Sequence, residues 1–250
     1  MGFTITRHYC GKTLVTVSLR HVEDCCTKCN QCHNKVSHIK IKDSFDEYLN
    51  AWIIIHVLKN KFGRSKDEPG FIFNMSVGYD LEGIKKPNVQ WFLDKMNNCS
   101  KEKEEKIKKL ESLYPKIREI NIPDQLSDNV TLSTMHGCPS NKIEKICRYL
   151  IEDRKLHTSL KLNPTLLGKV ALRNVLNDKL GFEINVPDEA FEHDLKYDDA
   201  IRIINSLKQR ADNAGVEFGL KLTNTLESTN STSWLPEKEK MVYTSGRALH

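Results

Sequence analysis

The sequence contains no run of about 18 apolar residues, the length that a membrane-spanning helix requires. Its most apolar run, Ala51–Leu58 (AWIIIHVL), is too short to cross a bilayer. The N-terminus also lacks the continuous apolar core of a secretory signal peptide. We therefore expect a cytoplasmic protein that has no membrane partner.

A strong charge of either sign is absent as well. The formal net charge is +5 over 250 residues, and no cluster of Lys and Arg is interleaved with aromatic residues, which argues against a nucleic-acid partner. The mixed-sign run Lys101–Lys109 (KEKEEKIKK) is typical of the solvated face of a helix. The hydrophobic content of 39% is that of an ordinary globular protein, and the length allows a substantial core.

Cysteine is too sparse for a disulfide-stabilised scaffold, with eight in the chain. Five of them lie within the first 32 residues: Cys10, Cys25, Cys26, Cys29 and Cys32. In a reducing compartment, such crowding suggests metal or cluster ligands before disulfides. The spacing Cys26-x2-Cys29-x2-Cys32 opens like a bacterial ferredoxin motif, but that motif requires a fourth cysteine where this chain has Val36.

Two interpretations of this N-terminal segment remain. Zinc is one, because three thiolates and one imidazole form a common structural site. The candidate ligands are Cys26, Cys29, Cys32 and either His33 or His38. The other, which we favour, is that residues 1–42 are irregular, being disordered or altered in reading frame.

Beyond this segment the sequence is well patterned. Ser44–Glu47 (SFDE) forms a capping box, which predicts a helix that starts there and ends at Gly63. Short apolar segments then alternate with amphipathic helical ones. The expected strands lie in FIFNMSVG, NVTLSTMHGCPS, HTSLKLNP and VEFGLKLTNT, and FEINVP (Phe182–Pro187) would be a fifth. This order predicts an α/β fold with βαβ units and a parallel sheet, about four or five of the eight βα units of a barrel.

Two of these strands end in nearly the same phrase, LKLNPTLLG at Leu160–Gly168 and LKLTNTLES at Leu220–Ser228. Because parallel strands end at one edge of the sheet, the two phrases are expected to lie together. Alternation along each strand directs Lys161 and Lys221 away from the neighbouring leucines. Two buried lysines on one face need a negative partner, which a flavin, a phosphate or a carboxylate would supply.

Other polar residues follow the expected strands. Any one of them is more typical of a strand end that satisfies loop backbone groups. Their repetition on successive strands favours a binding site for a planar, hydrogen-bonding ligand with negative charge. The residues are Asn74, His136, Cys138, Asn163 and Asn224.

Five segments also carry a family resemblance: FIFNMSVGYDLEGIK, TLSTMHGCP, KLNPTLLG, FGLKLTNT and YTSGRAL. They are similar to the selenate reductase flavoprotein family of the YgfK type, whose barrel resembles those of dihydropyrimidine dehydrogenase and class 1 dihydroorotate dehydrogenase. The resemblance covers Asp43–His250 and stops before residues 1–42. It implies that residues 43–250 form part of a (β/α)8 TIM-type barrel that binds FMN at its carboxyl-terminal face.

The resemblance also implies roles for individual residues. Lys161 corresponds to a lysine that reaches the flavin ring in the related dehydrogenases, and Asn74 and Lys221 are expected to bind the same cofactor. Asn163 and Asn224 are expected to hold a planar substrate over the ring. Cys138 lies near a catalytic Cys-Pro of the relatives, although in a different register, and it is a candidate acid or base together with His136.

These observations predict a fragment of a flavin- and iron–sulfur-dependent oxidoreductase that passes electrons or hydride through FMN. Full-length relatives also carry iron–sulfur clusters and bind FAD or NAD(P). The expected partners are the remaining part of the barrel or other redox subunits, and the isolated chain is expected to lose FMN and to associate. Whether it is itself active stays open. The alternative is a non-catalytic α/β scaffold or subunit with a cysteine-rich zinc knuckle.

Overall fold

The computed structural model describes residues 7–10, 13–16, 41–63, 71–78, 80–133, 137–222, 224–231, 235–236 and 238–244. The chain divides into two compact units, Met1–Val130 and Thr131–His250. Its first element is an antiparallel hairpin of β1 (Arg7–Cys10) and β2 (Thr13–Thr16). The N-terminal segment, which was expected to be irregular, therefore contains regular structure at these positions.

In the first unit, the long helix α1 (Ile41–Phe62) ends before Gly63, as the sequence predicts. Its start differs from the prediction, because Ser44 lies inside the helix and does not cap it. Ser44 and Phe45 are both buried. Packing of this face continues the helix past a local capping signal, since most helical stability in proteins comes from tertiary burial.

Aromatic side chains form the core beside α1. The Trp52 ring packs edge-on against Phe71 and Phe73, with centroid distances of 5.3 and 5.0 Å. The Trp52 indole N–H donates to the Pro123 carbonyl at 3.0 Å, so its one polar group is satisfied. His56 packs on the Trp52 ring, and burial lowers its pKa. This histidine belongs to the packing of the helix.

The rest of the first unit follows the expected order with shorter elements. Strand β3 (Asn74–Val77) buries Met75 and Val77. The Asp80 carboxylate then accepts from the Gly83 amide at 2.7 Å and caps the next helix. The charged segment that follows is divided into α2 (Leu81–Ile84), α3 (Pro87–Asn97), α4 (Ser100–Glu111) and a 3₁₀ turn (Pro115–Glu119).

Strand β4 (Asn129–Ser133) pairs with β3 and leads into the second unit. The second unit also contains β5 (His157–Lys161) and β6 (Phe218–Lys221), which are neighbours in the sheet. β5 and β6 are parallel, with Leu160 opposite Leu220 and Lys161 opposite Lys221. The alternation of strands and helices therefore produces the expected parallel sheet.

The helices of the second unit pack by their apolar stripes. α5 (Ser140–Arg148), extended by a π-helical turn (Tyr149–Asp153), packs against a later helix that spans Tyr197–Ala214. That later helix buries Ala200, Ile203, Leu207 and Ala211, as its periodicity predicts. It ends at Gly215, whose φ of 72° is the left-handed conformation that a helix terminus of this kind requires.

Two short helices lie between them in the chain. They are α6 (Lys169–Arg173), which continues as a π-helical turn (Asn174–Lys179), and α7 (Asp188–His193). The later helix, Tyr197–Ala214, is therefore α8. The prediction of a strand at Phe182–Pro187 is wrong. The Asn177 side-chain amide donates to the carbonyls of Phe182 and Ile184, at 2.9 and 2.8 Å. A side chain thus satisfies carbonyls that would otherwise need a neighbouring strand.

A hairpin that the sequence did not predict follows β6. It consists of β7 (Leu226–Thr229) and β8 (Met241–Thr244), which are antiparallel. Leu226 is fully buried in a small core with Leu172, Leu176, Val186, Ala190 and Phe191. Among the described residues, no helix is both long and apolar enough to cross a membrane.

The packing of α8 leads to a prediction with a matched control on one helix. Replacement of Ile203, which is 0% exposed, by Ala should lower the free energy of unfolding by about 2–5 kcal/mol through lost burial and a residual cavity. The same replacement at Ile201, which is 42% exposed, should cost less than about 1 kcal/mol. Urea unfolding followed by circular dichroism measures both, and equal losses would contradict the packing described for α8.

Candidate active site

Lys161 and Lys221 occupy equivalent positions at the carboxyl ends of β5 and β6. They are paired in register, so their side chains start from the same face of the sheet. The expectation that both are buried is wrong, because Lys161 is half-buried and Lys221 is exposed. The reason is the place of β6 at the end of the described sheet, where Leu220 is also 44% exposed.

The environment of Lys161 disfavours its positive charge. Burial lowers its pKa to about 8, and repulsion from Lys221 contributes in the same direction. Two cations that meet at a strand end raise the local positive potential. An anion placed there would relieve the repulsion and restore the pKa of Lys161 towards its usual value.

A buried carboxylate, which the sequence analysis did not single out, lies beyond the same strands. Asp194 directly follows α7 and is 5% exposed. Its Oδ1 accepts from the Gly137 backbone N–H at 2.9 Å. Its Oδ2 accepts from the Asn163 amide at 3.1 Å and from the Thr165 hydroxyl at 2.7 Å. One side chain thus joins the segments that follow β4 and β5.

The network extends to the segment after β6. The Asn224 amide nitrogen donates to Asn163 Oδ1, and Asn224 Oδ1 accepts from the Thr225 backbone N–H at 2.9 Å. Asn224 is 7% exposed. The structure therefore brings together the two residues predicted to bind substrate. Asn163 stands two positions after Lys161 in extended backbone, which places both on one face.

Cys138 borders this network through its neighbour Gly137. Gly137 has a φ of 75°, and a side chain there would also approach the His193 ring, so glycine suits this turn. Cys138 is half-buried, and its Sγ lies 4.0 Å from the Pro139 carbonyl oxygen. His136 is outside the described residues. Catalysis by Cys138 or His136 stays a prediction.

The other predicted site residues are not tested by this geometry. Asn74 begins β3 in the first unit and is half-buried. Cys26, Cys29, Cys32 and His33 lie outside the described residues. Within the described ranges, no three His, Cys, Asp or Glu side chains form a group that could hold a metal ion. Described cysteines include the free thiols of Cys99 and Cys147, and burial raises the pKa of Cys99 to about 12.

An open depression of about 530 Å³ lies next to this part of the second unit. It contains none of the predicted site residues. Its lining consists of Leu167, Gly168, Lys169, Val170, Ala171 and Asn174. The chemistry of the strand ends, and not the volume of this depression, therefore locates the candidate site.

Asp194 and Thr165 are the residues that sequence reasoning missed. Asp194 stands in a charged stretch, FEHDLKYDD, where each acidic residue looks equally suited to solvent. Thr165 lies inside the repeated phrase, but its hydroxyl has no local partner to indicate its role. Only the long-range contacts between α7 and the strand ends reveal them.

Comparison with known proteins identifies a TIM-barrel family, which agrees with the parallel sheet and the helices described above. Residues 6–250 match the family described as "Oxidoreductase YgfK, N-terminal TIM-barrel domain". This match includes most of residues 1–42, where no family resemblance was expected. The proteins named "Putative oxidoreductase YgfK" from Escherichia coli K12 and from Escherichia coli O157:H7 are each 42% identical to the chain over 231 residues.

The alignment covers 82% of this chain and 22% of each relative, so the chain spans about a fifth of their length. No solved structure matches. The predictions of the YgfK-type family and of a partial TIM-type barrel are confirmed. Since the family match includes nearly every residue, the chain belongs to the YgfK oxidoreductase family and corresponds to its N-terminal TIM-barrel domain.

Proposed function

We propose that this chain is part of a flavin-dependent oxidoreductase barrel and that its ligand site lies at the carboxyl ends of β5 and β6. The observation that carries the proposal is the in-register pair Lys161 and Lys221 at these strand ends. Membership of an oxidoreductase family supports redox chemistry. The position at the carboxyl-terminal end of parallel strands is where TIM barrels place their reactive groups.

The residues at these strand ends fit FMN. A reduced flavin carries negative charge near its N1 and C2 carbonyl edge, and it supplies the hydride or electron transfer. The Lys161 ammonium, half-buried and lowered in pKa, is suited to face that charge because an anion offsets its burial. The amides of Asn163 and Asn224 would orient a planar substrate beside the ring.

The activity of the whole protein is also part of this proposal, because the chain spans only a fifth of its relatives. We propose selenate as the terminal electron acceptor, since the resemblance points to it. The remaining part of the barrel and other redox subunits, with iron–sulfur clusters and FAD or NAD(P), would complete the electron path. Cys138 or His136 would supply the proton.

A scaffold with a zinc knuckle is the competing function. It gives no reason to place two like charges side by side, since like charges opposite each other in a sheet repel. An oxidoreductase site gives such a reason. The lysine pair therefore favours the redox function over the scaffold.

Titration of the 250-residue chain with FMN, in its oxidised and anaerobically reduced forms, tests the proposal. We expect weak binding that is lost during purification. We also expect the reduced form to bind about tenfold more tightly, since one charge-assisted hydrogen bond contributes about 1.5 kcal/mol or more. The FMN phosphate is common to both forms, so the ratio reports on the ring. Absence of binding at millimolar concentrations of both forms would rule out the site.

Replacement of Lys161 by Met should weaken binding of reduced FMN about tenfold and change binding of oxidised FMN much less. The two-electron potential of bound FMN should therefore fall by about 30 mV. Lys208→Met is the matched control, because Lys208 is exposed on α8, where it pairs with Asp212, and the change in net charge is identical. Equal effects of the two substitutions would indicate a general response to charge.

The affinity for reduced FMN should also fall as the pH rises through about 8, where Lys161 loses its proton. In the free protein the folded state binds fewer protons than the unfolded state between about 8 and the usual lysine pKa, so this group makes stability rise with pH in that window. Lys161→Arg should keep the affinity constant through it, because arginine stays charged. A parallel decline in both proteins would exclude Lys161 as the titrating group.

A further inference from the structure

We propose that Asp194 is a positioning residue that fixes the direction of the Asn163 and Asn224 carboxamides, so that these strand ends offer hydrogen-bond donors to an anionic, acceptor-rich ligand. The inference rests on the proposed function, because it assigns the ligand chemistry of the same site. Asp194 is an additional residue of the site, and the fixed amides would favour ligands rich in hydrogen-bond acceptors, which the lysine pair alone would not do.

The direction of the amide chain follows from the chemistry of its two ends. An ionised carboxylate can only accept, so the Asn163 group that faces Asp194 must be its NH2. Asn163 Oδ1 is then left to face Asn224, which must present its own NH2. At the other end, the Thr225 backbone N–H can only donate, and it therefore requires Asn224 Oδ1.

This direction determines what a ligand meets. Both carboxamide oxygens already accept a hydrogen bond inside the chain. Asn224 Nδ2 carries two hydrogens, and its bond to Asn163 uses one of them. Lys161, two residues before Asn163 on the same face, adds an ammonium group. The ammonium group and the remaining amide hydrogen add donors to the site, and these match carbonyl, carboxylate or oxyanion groups of a ligand.

Replacement of Asp194 by Asn creates a conflict that the network cannot remove. The new amide oxygen can still accept from the Gly137 N–H, but its NH2 then faces the NH2 of Asn163. If the Asn163 amide rotates, the conflict moves to Asn224. If Asn224 also rotates, its NH2 faces the Thr225 N–H. In every arrangement, two of these hydrogen-bond donors face each other.

A second substitution resolves the conflict and moves the charge. In the double variant Asp194→Asn with Asn163→Asp, the new amide at position 194 donates to the new carboxylate at position 163 and to the Thr165 hydroxyl. That carboxylate also accepts from Asn224. Every pair in the network again joins a donor to an acceptor, with the Thr165 hydroxyl now accepting. The negative charge now stands two residues after Lys161, where it competes with an anionic ligand.

The experiment compares the melting temperature and the affinity for reduced FMN in four proteins: the parent, Asp194→Asn, the double variant and Asp188→Asn. Asp194→Asn should melt roughly 3–10 °C below the parent and bind reduced FMN about tenfold more weakly. The double variant should regain at least half of the lost melting temperature and still bind at least about tenfold more weakly than the parent.

Asp188→Asn is the control, since this carboxylate also belongs to the second unit but pairs with Lys169 and Arg173 on the surface. It should change the melting temperature by less than about 2 °C and the affinity by less than about twofold. In the double variant, recovery of the melting temperature reports on the amide direction, and the lasting loss of affinity reports on the carboxylate now at position 163.

Each outcome decides the inference. Recovery of the melting temperature without recovery of affinity supports it. A double variant that binds like the parent overturns it, as does an Asp194→Asn protein that melts and binds like the parent. If the parent itself binds no FMN, the proposed function is wrong, and the melting temperatures alone test the amide direction. Recovery of the melting temperature in the double variant then supports the amide direction, and no recovery overturns it.

Discussion

The buried Asp194 carboxylate determines how the segments beyond the strands are arranged. Removal of a carboxylate from water costs several kcal/mol, and each charge-assisted hydrogen bond contributes about 1.5–3 kcal/mol in return. The three bonds from Gly137, Asn163 and Thr165 are therefore comparable in size to the burial cost. Their main effect is to select one arrangement of these segments, because displacing a segment would remove a hydrogen bond from the buried carboxylate. The loops are thereby held in one geometry that a ligand can meet.

The parallel register of β5 and β6 has a different consequence. Repetition of the sequence LKL in two strands that pair in register brings equal side chains opposite each other, leucine beside leucine and lysine beside lysine. The leucine pair extends the apolar layer. The lysine pair brings two like charges together, and their repulsion adds to burial, the larger cause, in lowering the pKa of Lys161. This repulsion lies at the edge of the sheet where α/β proteins bind ligands, which supports the proposed ligand site.

Much of this architecture could be read from local patterns. The apolar period of Tyr197–Ala214 correctly predicted the helix α8, and the glycine after it predicted where that helix ends. The alternation of strands with helices correctly predicted the parallel sheet. The pairing of Asn163 with Asn224 also followed, because repeated phrases on parallel strands must converge.

The failures depend on side-chain contacts and burial that the apolar pattern of the sequence does not show. Asn177 satisfies the carbonyls of Phe182 and Ile184 and so removes the need for a strand there. Ser44 and Phe45 are buried inside α1, so the capping box at Ser44 does not begin the helix. Asp194 has no local signature, because its donors lie on segments about thirty to sixty residues away. Such contacts depend on the assembled fold and leave no periodicity to detect.

The two lysines are not equivalent, and their difference in exposure indicates which one dominates the site. Lys221 is exposed beside Leu222, which is 67% exposed, so water screens its charge. Lys161 is half-buried. A charge acts more strongly where the surroundings polarise less, so Lys161 exerts the larger field on a bound anion. Repulsion from Lys221 adds to burial in lowering the pKa of Lys161.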